Sequence, residues 1–525
     1  MLLALIFIVV IGVLLYKLLL PSSKNFFKEH GIREIDSSVA VSKLDIFLSR
    51  KGLALADDYA YKTMGSEKYC GLNDLGNNLV LIKDMDLMKR ILIKDFDYFV
   101  DRRDIFSDAE ISFKKMLPSL KGDEWKGVRN AVSPTFTTGK IRRMMEYFNS
   151  VGKEWVDSFK EKARASPNGS ATIEALPAVN QYTIDVIAAA VFGMKAGTIQ
   201  NPKSPFAQMA TRLSEPTKWQ MLKFTLFLQF PKIALKLFKF KVMDEEALNF
   251  FEGILGKGLK ARMSGSTTKR NDFLQLLVEA KKGELKAEGK DELSSFEKEA
   301  QIEGNASVEK KQWLTEQVMN SQSLVFFIAG FSTTSNSITF TAYALAVHHD
   351  VQDKLRKELG KIVKPDGSLD YDELTTLPYM EMVICEVLRK FLPVSRLERK
   401  CIRDYVDTET GLSIPKGTIV GIPAYSIHHD EQYYDNPEKF DPENFSPDKK
   451  SKRNPYAYMP FGIGPRNCIG MRFALVETKV AVAHLVHNFR IETTKKTPIP
   501  AKGKWLGFGL FPPKGLELKL TPLKN

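Results

Sequence analysis

The chain has 525 residues, of which 44% are hydrophobic and 26% are charged. This composition excludes a disordered chain, which would lack the apolar surface needed for a core, and no linker rich in proline or glycine divides the sequence. The formal net charge of +13 suits nucleic acid, anionic lipid or an acidic protein partner, but no nucleic-acid-binding motif is present. We therefore expect one large domain with a smaller lobe and a basic surface that faces a membrane or an acidic protein.

The first predicted element is an apolar segment at the N-terminus. Leu2 to Leu20 is apolar apart from Lys17, and at about 1.5 Å per residue it nearly spans a hydrocarbon core of ~30 Å. We predict a membrane anchor over residues 1–21 and a single domain over 22–525. Lysines follow the apolar run and nothing basic precedes it, so the positive-inside rule places the domain in the cytoplasm. A cleaved secretory signal is the alternative, although no basic n-region and no small-x-small site are present.

Further along the chain, Trp125 and Arg129 are spaced i,i+4. On a helix this spacing puts the indole N–H and the guanidinium on one face, where both can bind one anionic group. Arg103, in the run Asp101-Arg-Arg103, is a further candidate for that anion, but an arginine there could equally face solvent. Residues 221–240 mix apolar, aromatic and lysine side chains, which suits either a lipid headgroup interface or a pair of core helices.

An apolar stretch from Leu324 turns abruptly small and hydroxylic at Ala329-Gly-Phe-Ser-Thr333. On a helix Ala329 and Thr333 share a face, with Gly330 beside them, and this arrangement makes a shallow notch that can seat a diatomic molecule. Thr333, preceded by Ser332, could donate a hydrogen bond there and position the last link of a proton relay. The alternative is a close crossing of two helices, in which threonine only bonds its own helix.

Glu386 and Arg389 lie one helical turn apart and can form an ion pair. At a surface such a pair is worth under about 1 kcal/mol and has no chemical role. Periodicity also predicts helices over 179–193, 312–348 and 473–488, and strands over Leu79 to Ile82 and Leu516 to Leu520.

Near the C-terminus, Phe461-Gly-Ile-Gly464-Pro-Arg466-Asn-Cys468-Ile-Gly470 surrounds one cysteine with glycines, an arginine and an aromatic residue. Glycines let the backbone approach a flat macrocycle, a thiolate can ligate haem iron, and Arg466 can meet a haem propionate. An ordinary buried thiol is the alternative for Cys468. A dinucleotide loop is excluded because Asn467 stands where a third glycine is needed, and none of the four cysteines forms a CxxC pair that would suit zinc.

The cysteine loop resembles that of the cytochrome P450 family at every motif position. The likeness extends to the Ala329–Thr333 patch, the Glu386-x-x-Arg389 helix and the haem-facing helix of Trp125 and Arg129. It implies a mainly α fold, with a large helical domain and a smaller β-containing lobe, that binds haem b. Cys468 would be the axial iron ligand, Thr333 and Ser332 would serve in catalysis, and the remaining cofactor-binding residues would be Phe461, Arg466, Trp125, Arg129, Arg399 and Arg103.

Two positions depart from the family pattern. Ser332 stands where an acid usually precedes the threonine, so the carboxylate of the proton relay is missing or comes from another group. Asn444, in Phe440-Asp-Pro-Glu-Asn444-Phe, replaces an arginine that normally joins the Glu-x-x-Arg network. Because asparagine can donate and accept hydrogen bonds, we expect Glu386, Arg389 and Asn444 to form a modified structural clamp.

The resemblance is strongest to the membrane-anchored animal branch of drug-oxidising and insect detoxifying enzymes, which implies xenobiotic metabolism at the endoplasmic reticulum membrane. The implied function is insertion of one oxygen atom from O2 into a lipophilic small molecule. The implied partners are NADPH–cytochrome P450 reductase, as the electron donor, and cytochrome b5. A reductase-independent haem-thiolate isomerase or dehydratase is one alternative, kept open by Ser332. A non-catalytic haem-binding protein is another.

Overall fold

A computed structural model describes residues 25–42, 45, 50–74, 76–103, 111–214, 217, 219–220, 243–266, 269–285, 313–507 and 509–523. The predicted anchor over 1–21 and the segment 221–240 lie outside these residues. In the described part, helices dominate and strands form small sheets, so the predicted mainly α architecture with a β-containing lobe is confirmed.

The α-helices are numbered in chain order. The first nine are α1 (Asn25–Glu29), α2 (Leu53–Thr63), α3 (Met85–Lys89), α4 (Ile111–Lys114), α5 (Gly122–Val132), α6 (Thr138–Arg143), α7 (Met145–Ala165), α8 (Ala175–Ile187) and α9 (Pro205–Ser214). The others are α10 (Glu245–Met263), α11 (Phe273–Lys282), α12 (Glu316–Val347), α13 (His349–Leu359), α14 (Tyr371–Thr375), α15 (Pro378–Lys390), α16 (Ala424–His428), α17 (Pro447–Lys452) and α18 (Met471–Asn488). Two π-helical turns, Arg90–Lys94 and Ala188–Phe192, continue α3 and α8.

The strands are β1 (Tyr69–Asp74), β2 (Asn77–Ile82), β3 (Ala171–Glu174), β4 (Leu397–Lys400), β5 (Tyr405–Val406), β6 (Ser413–Ile414), β7 (Ile419–Ile422), β8 (Phe489–Thr493), β9 (Lys504–Leu506), β10 (Gly509–Phe511) and β11 (Glu517–Pro522). A four-stranded sheet has the order β1-β2-β7-β4, and a three-stranded sheet has the order β3-β11-β8. Strands β2 and β7 run parallel, with Leu79 opposite Ile419, although they come from distant parts of the chain. Two strand pairs, β5-β6 and β9-β10, complete the β structure of the described residues.

Helix α12 forms the centre of the helical domain. The Thr315 side chain caps its first turn by accepting a hydrogen bond from the Val318 N–H at 3.2 Å. The helix is buried on most sides and packs against α8, α15 and α18, which explains its sustained apolar character. Among the described residues, one helical stretch, Ala175–Phe192, is long and apolar enough to cross a membrane, but 72% of it is buried inside the protein. That stretch is a core helix packed along α12.

Two hydrophobic cores correspond to the two lobes. The larger core joins the helices around α12 with the three-stranded sheet. The smaller core surrounds the four-stranded sheet and includes Leu79, Val420 and Ile463. Because Ile463 belongs to the cysteine loop, that loop is anchored in the smaller core just before the chain enters α18 in the larger one.

Candidate functional site

The Cys468 loop is a tight backbone structure at the start of α18. The Cys468 N–H donates to the Phe461 carbonyl at 2.8 Å, and the Asn467 N–H donates to the Gly464 carbonyl at 3.0 Å. Gly464 has a φ of +73°, and a Cβ at this position would clash with the Leu92 carbonyl oxygen. The glycine therefore lets the loop pack directly against the π-helical turn that follows α3.

The thiol of Cys468 is accessible to solvent, yet protein surrounds it closely. The side chain is therefore reachable by solvent although other residues pack around it. Burial raises the pKa of the Cys468 thiol, while the Gly470 N–H and the guanidinium groups of Arg129 and Arg102 act in the opposite direction. The other three cysteines, Cys70, Cys385 and Cys401, are buried free thiols. Cys468 thus differs from them in accessibility and in its cationic surroundings.

Four arginines gather beside this cysteine, and we call them the arginine cluster: Arg102, Arg129, Arg399 and Arg466. Arg129 donates to the Asn467 carbonyl at 2.9 Å and to its side-chain oxygen at 2.7 Å. Arg102 donates to the Arg466 carbonyl at 2.9 Å. Two arginines of the cluster therefore hold the backbone of the cysteine loop itself.

Arg466 is the most enclosed member of the cluster. Its three nitrogens donate to the carbonyl oxygens of Val100, Leu117 and Leu120 at 2.8, 3.2 and 2.7 Å. Its guanidinium also lies over the ring of Trp125, which is 1% exposed. Trp125 therefore serves as a platform for Arg466 in this arrangement.

Within the part of the chain that the structure describes, no member of the arginine cluster forms an ion pair. Burial, together with the nearby charges of Arg102 and Arg399, lowers the pKa of Arg466 to about 7, and burial lowers the pKa of Arg129 to about 10. Burial and then Arg102 hold the pKa of Arg399 well below its usual range, and the Arg399 Nε, also buried, has no hydrogen-bond partner. Such a concentration of unneutralised positive charge calls for an anionic partner. A cofactor with two carboxylates and a thiolate-binding metal, as in haem, fits these residues.

Arg103 does not join this cluster but belongs to an acidic network. It ion-pairs with Asp74 and with Glu398, the latter at 2.9 Å. Arg396 ion-pairs with the same two carboxylates and with Asp57 at 2.7 Å. Two pairs of neighbouring residues are therefore divided between the two groups. Arg102 and Arg399 belong to the arginine cluster, whereas Arg103 and Glu398 belong to the acidic network.

The sequence patterns indicate Arg103 but not Arg102 as a residue near the cysteine, whereas in the structure Arg102 joins the arginine cluster. The Lys400 N–H donates to the Asp101 carbonyl at 2.8 Å, so the stretch that begins at Asp101 runs alongside β4. In an extended segment successive side chains point to opposite sides, and this alternation is the pattern that could have indicated Arg102. Alternation places Arg102 opposite to Arg103, but it does not by itself say which side faces the cysteine.

The middle of α12 carries an accessible patch on an otherwise buried helix. Ala329 and Thr333 are exposed, and Ser332 is partly buried. Most residues in the neighbouring turns of the helix are buried. The Thr333 hydroxyl donates to the Ala329 carbonyl at 2.6 Å, so its lone pairs are free to accept a hydrogen bond. Gly330 lies against α8, where a Cβ would press on Ile187. The small residue at 330 thus serves the helix crossing, and the open face belongs to Ala329 and Thr333.

Glu386 and Arg389 form a fully buried ion pair with Nε and Nη2 of the arginine at 2.7 and 2.8 Å from the two carboxylate oxygens. The Asn444 side-chain amide donates to Glu386 at 3.3 Å. Arg389 also donates to the carbonyls of His428 and Pro437. These contacts join α15 to the segment that leads into the cysteine loop.

Comparison with known proteins bears directly on this site. Residues 57–520 match the family model for cytochrome P450. Cytochrome P450 9e2 of Blattella germanica is 33% identical over 516 residues, which cover 95% of this chain and 94% of that protein. Cytochrome P450 3A11 of Mus musculus is 34% identical, covering 90% and 88% of the two chains. Probable cytochrome P450 6a20 of Drosophila melanogaster is 32% identical, covering 95% of each.

The family model spans nearly the whole of the two lobes, and the relatives align over most of their own length. An accessible cysteine can supply a thiolate ligand to haem iron, and the neighbouring arginines can bind the haem carboxylates. The chain therefore belongs to the cytochrome P450 family and is a haem-iron monooxygenase.

Proposed function

We propose that this protein inserts one oxygen atom from O2 into a lipophilic small molecule, using NADPH-derived electrons delivered by NADPH–cytochrome P450 reductase. The observation that carries the proposal is the accessible Cys468 thiol beside four arginines that form no ion pair among the described residues. The cofactor is haem b, which when bound supplies the reductive activation of dioxygen.

Cys468 is the iron ligand in this proposal. Arg129 and Arg102 favour its thiolate form, because they oppose the effect of burial on the pKa of the thiol. Phe461 fixes the loop through its carbonyl, and Gly464 keeps the loop close to the α3 turn. The arginine cluster holds the two carboxylates, and Trp125 supports it by stacking beneath Arg466.

Thr333 is the residue that handles protons. Its hydroxyl hydrogen is committed to the Ala329 carbonyl, so Oγ1 can accept a hydrogen bond from a water molecule at the exposed face of α12 and orient that water. Ser332 offers a hydroxyl where a carboxylate would hold and release a proton at lower free-energy cost. The relay at Ser332 is therefore weaker than one with an acid, and this favours a rearrangement activity without NADPH as the second candidate.

The proposed location is the cytoplasmic side of the endoplasmic reticulum membrane, with residues 1–21 as the anchor and cytochrome b5 as a second electron donor. The support is the apolar run from Leu2 to Leu20 and the likeness to animal cytochromes P450. The same likeness supports xenobiotic oxidation, because the resemblance is to the drug-oxidising and detoxifying branch.

The test is the carbon monoxide difference spectrum of haem-loaded protein reduced by NADPH and the reductase. A strongly red-shifted Soret band is expected, and it should disappear in Cys468→Ser but persist in Cys385→Ala, which removes a buried thiol elsewhere. A band obtained with dithionite but not with NADPH would refute the reductase-fed reaction and favour the rearrangement. No red-shifted band with either reductant would refute thiolate ligation.

A further inference from the structure

The clamp around Glu386 contains one cationic side chain, Arg389, and one neutral amide, Asn444. Glu386 is fully buried and accepts hydrogen bonds from Arg389, from the Asp441 N–H at 2.9 Å and from the Asn444 amide at 3.3 Å. The Asn444 bond is the longest of these contacts. The Asn444 side chain is neutral and short. It reaches Glu386 but is too short to bind the residues that follow Asn444 in the chain as well.

A guanidinium reaches this place from further along the chain. Arg453 follows α17, and its Nη1 donates to the Asn444 backbone carbonyl at 2.9 Å. Its Cζ lies 4.4 Å from the ring centre of Tyr434 and 4.7 Å from that of Phe445. The buried Tyr434 ring is also 5.1 Å from the Cζ of Arg389. The Tyr434 ring is therefore contacted by two guanidinium groups, that of Arg389 in the clamp and that of Arg453.

These contacts lead towards the cysteine loop. The Tyr434 hydroxyl donates to the Ala457 carbonyl at 2.9 Å, and the Met459 N–H donates to the His428 ring at 2.9 Å. The His428 carbonyl in turn accepts from Arg389. Residues 453–459 are thus tied to the clamp at their start, middle and end. Two residues later, the Phe461 carbonyl accepts the Cys468 N–H.

We propose that Arg453 is a positioning residue that replaces the cation missing at position 444 and fixes the segment leading into the Cys468 loop. The inference rests on the proposed binding of haem through Cys468. Three contacts converge on one partly buried guanidinium, whereas the neighbouring Lys452 is exposed and pairs with Asp448 one turn earlier on the same short helix. An arginine with only a solubilising role would not share Tyr434 with Arg389.

The test is a double-mutant cycle of Arg453→Ala and Asn444→Arg, read out as the rate of haem release and the fraction of protein with the red-shifted carbon monoxide band. Loss of a charge-assisted hydrogen bond and two cation–π contacts should speed haem release about tenfold in Arg453→Ala. In the Asn444→Arg background the same change should have a much smaller effect. Lys452→Ala is the matched control and should behave like the wild type.

Equal effects of Arg453→Ala in both backgrounds, or an effect no larger than that of Lys452→Ala, would overturn the proposal. Arg453→Lys provides a check that does not depend on the fit of a new arginine. An ammonium cannot both stack flat on the rings and donate to the Asn444 carbonyl, so this variant should stay close to Arg453→Ala, and full rescue by lysine would also overturn the proposal. Failure of the proposed function is seen separately, as a wild-type protein without the red-shifted band.

Discussion

The guanidinium carbon of Arg466 lies 3.9 Å from the ring centre of Trp125. This contact covers one face of the guanidinium group, and three backbone carbonyls accept hydrogen bonds from its nitrogens. The arginine is therefore held in place by the protein itself. Burial, and after it the positive charges of Arg102 and Arg399, lower the pKa of Arg466 to about 7, so an anion beside this group favours its charged form.

The first prediction concerns Arg466→Lys. One ammonium cannot donate to three carbonyls spread around a planar fork, so two buried carbonyls lose their donors at a cost of about 1–3 kcal/mol each. We expect a lower melting temperature and reduced haem content, measured by calorimetry and by absorbance. Arg164→Lys, on the exposed end of α7, is the control. Unchanged stability and haem content in Arg466→Lys would contradict the fixed-arginine interpretation.

The second prediction separates two adjacent arginines. Arg102→Gln removes a charge from the arginine cluster and should weaken haem binding by about tenfold, with little change in the fold, because one charge-assisted contact to a carboxylate is lost. Arg103→Gln should instead lower the stability of the smaller lobe, since Asp74 and Glu398 then share one remaining arginine. Haem titration and thermal unfolding of both variants give the comparison. The opposite assignment of effects would show that Arg103 is the carboxylate ligand.

The third prediction is a pH dependence. The acidic network holds three carboxylates, Asp57, Asp74 and Glu398, but two arginines. Burial raises the pKa of Asp57 to about 7 although Arg396 opposes it, and the Asp57 Oδ1, also buried, has no hydrogen-bond partner. The usual value in an unfolded chain is about 3.9. Protonation of Asp57 therefore stabilises the folded protein to its full extent below about pH 4, and this stabilisation is lost as the pH rises through 7.

Asp57→Asn should remove this dependence. The difference in melting temperature between the variant and the wild type should shift in favour of the variant as the pH rises from about 5 to 8. The measurement is thermal unfolding of the haem-loaded proteins across that range. Parallel curves for the two proteins would show that Asp57 is ionised throughout, held by Arg396.

The fourth prediction concerns proton handling on α12. Thr333→Ala should lower the product formed per NADPH consumed by about tenfold or more, because a water molecule at the exposed face of α12 would lose the acceptor that orients it. Ser332→Asp restores a carboxylate and should raise this ratio above that of the wild type. Thr339→Ala, in the buried part of the same helix, is the control for helix stability. A Thr333→Ala enzyme with unchanged coupling would remove Thr333 from the relay.

Much of this molecule could be predicted from its sequence. The run around Cys468 and the helices over 312–348 and 473–488 correspond to local patterns, and the structure places α12 and α18 within a few residues of those ranges. The spacing of Trp125 and Arg129 also puts both on one helix, α5. Such features depend on residues that are close in sequence.

The parts that could not be predicted depend on distant contacts. Whether Arg102 or Arg103 faces the cysteine is decided by how residues 101–103 dock on β4, and no local pattern records that docking. Gly330 similarly serves the crossing with Ile187 on α8 rather than the open patch. The role of Arg453 could not be predicted from the sequence, because the fold is what brings its partners Tyr434 and Asn444 to it.

The parallel pairing of β2 with β7 has a consequence for the order in which the protein matures. During synthesis the edge of β2 that will bind β7 stays open until the ribosome has passed Ile422, so the nascent smaller lobe carries an unprotected strand for most of translation. The arginine cluster is completed later still, because Arg102 and Arg129 must wait for Arg399 and finally for Arg466, which follows β7. Cofactor capture is therefore a property of the finished chain, and any premature termination before β7 yields a product prone to edge-to-edge aggregation.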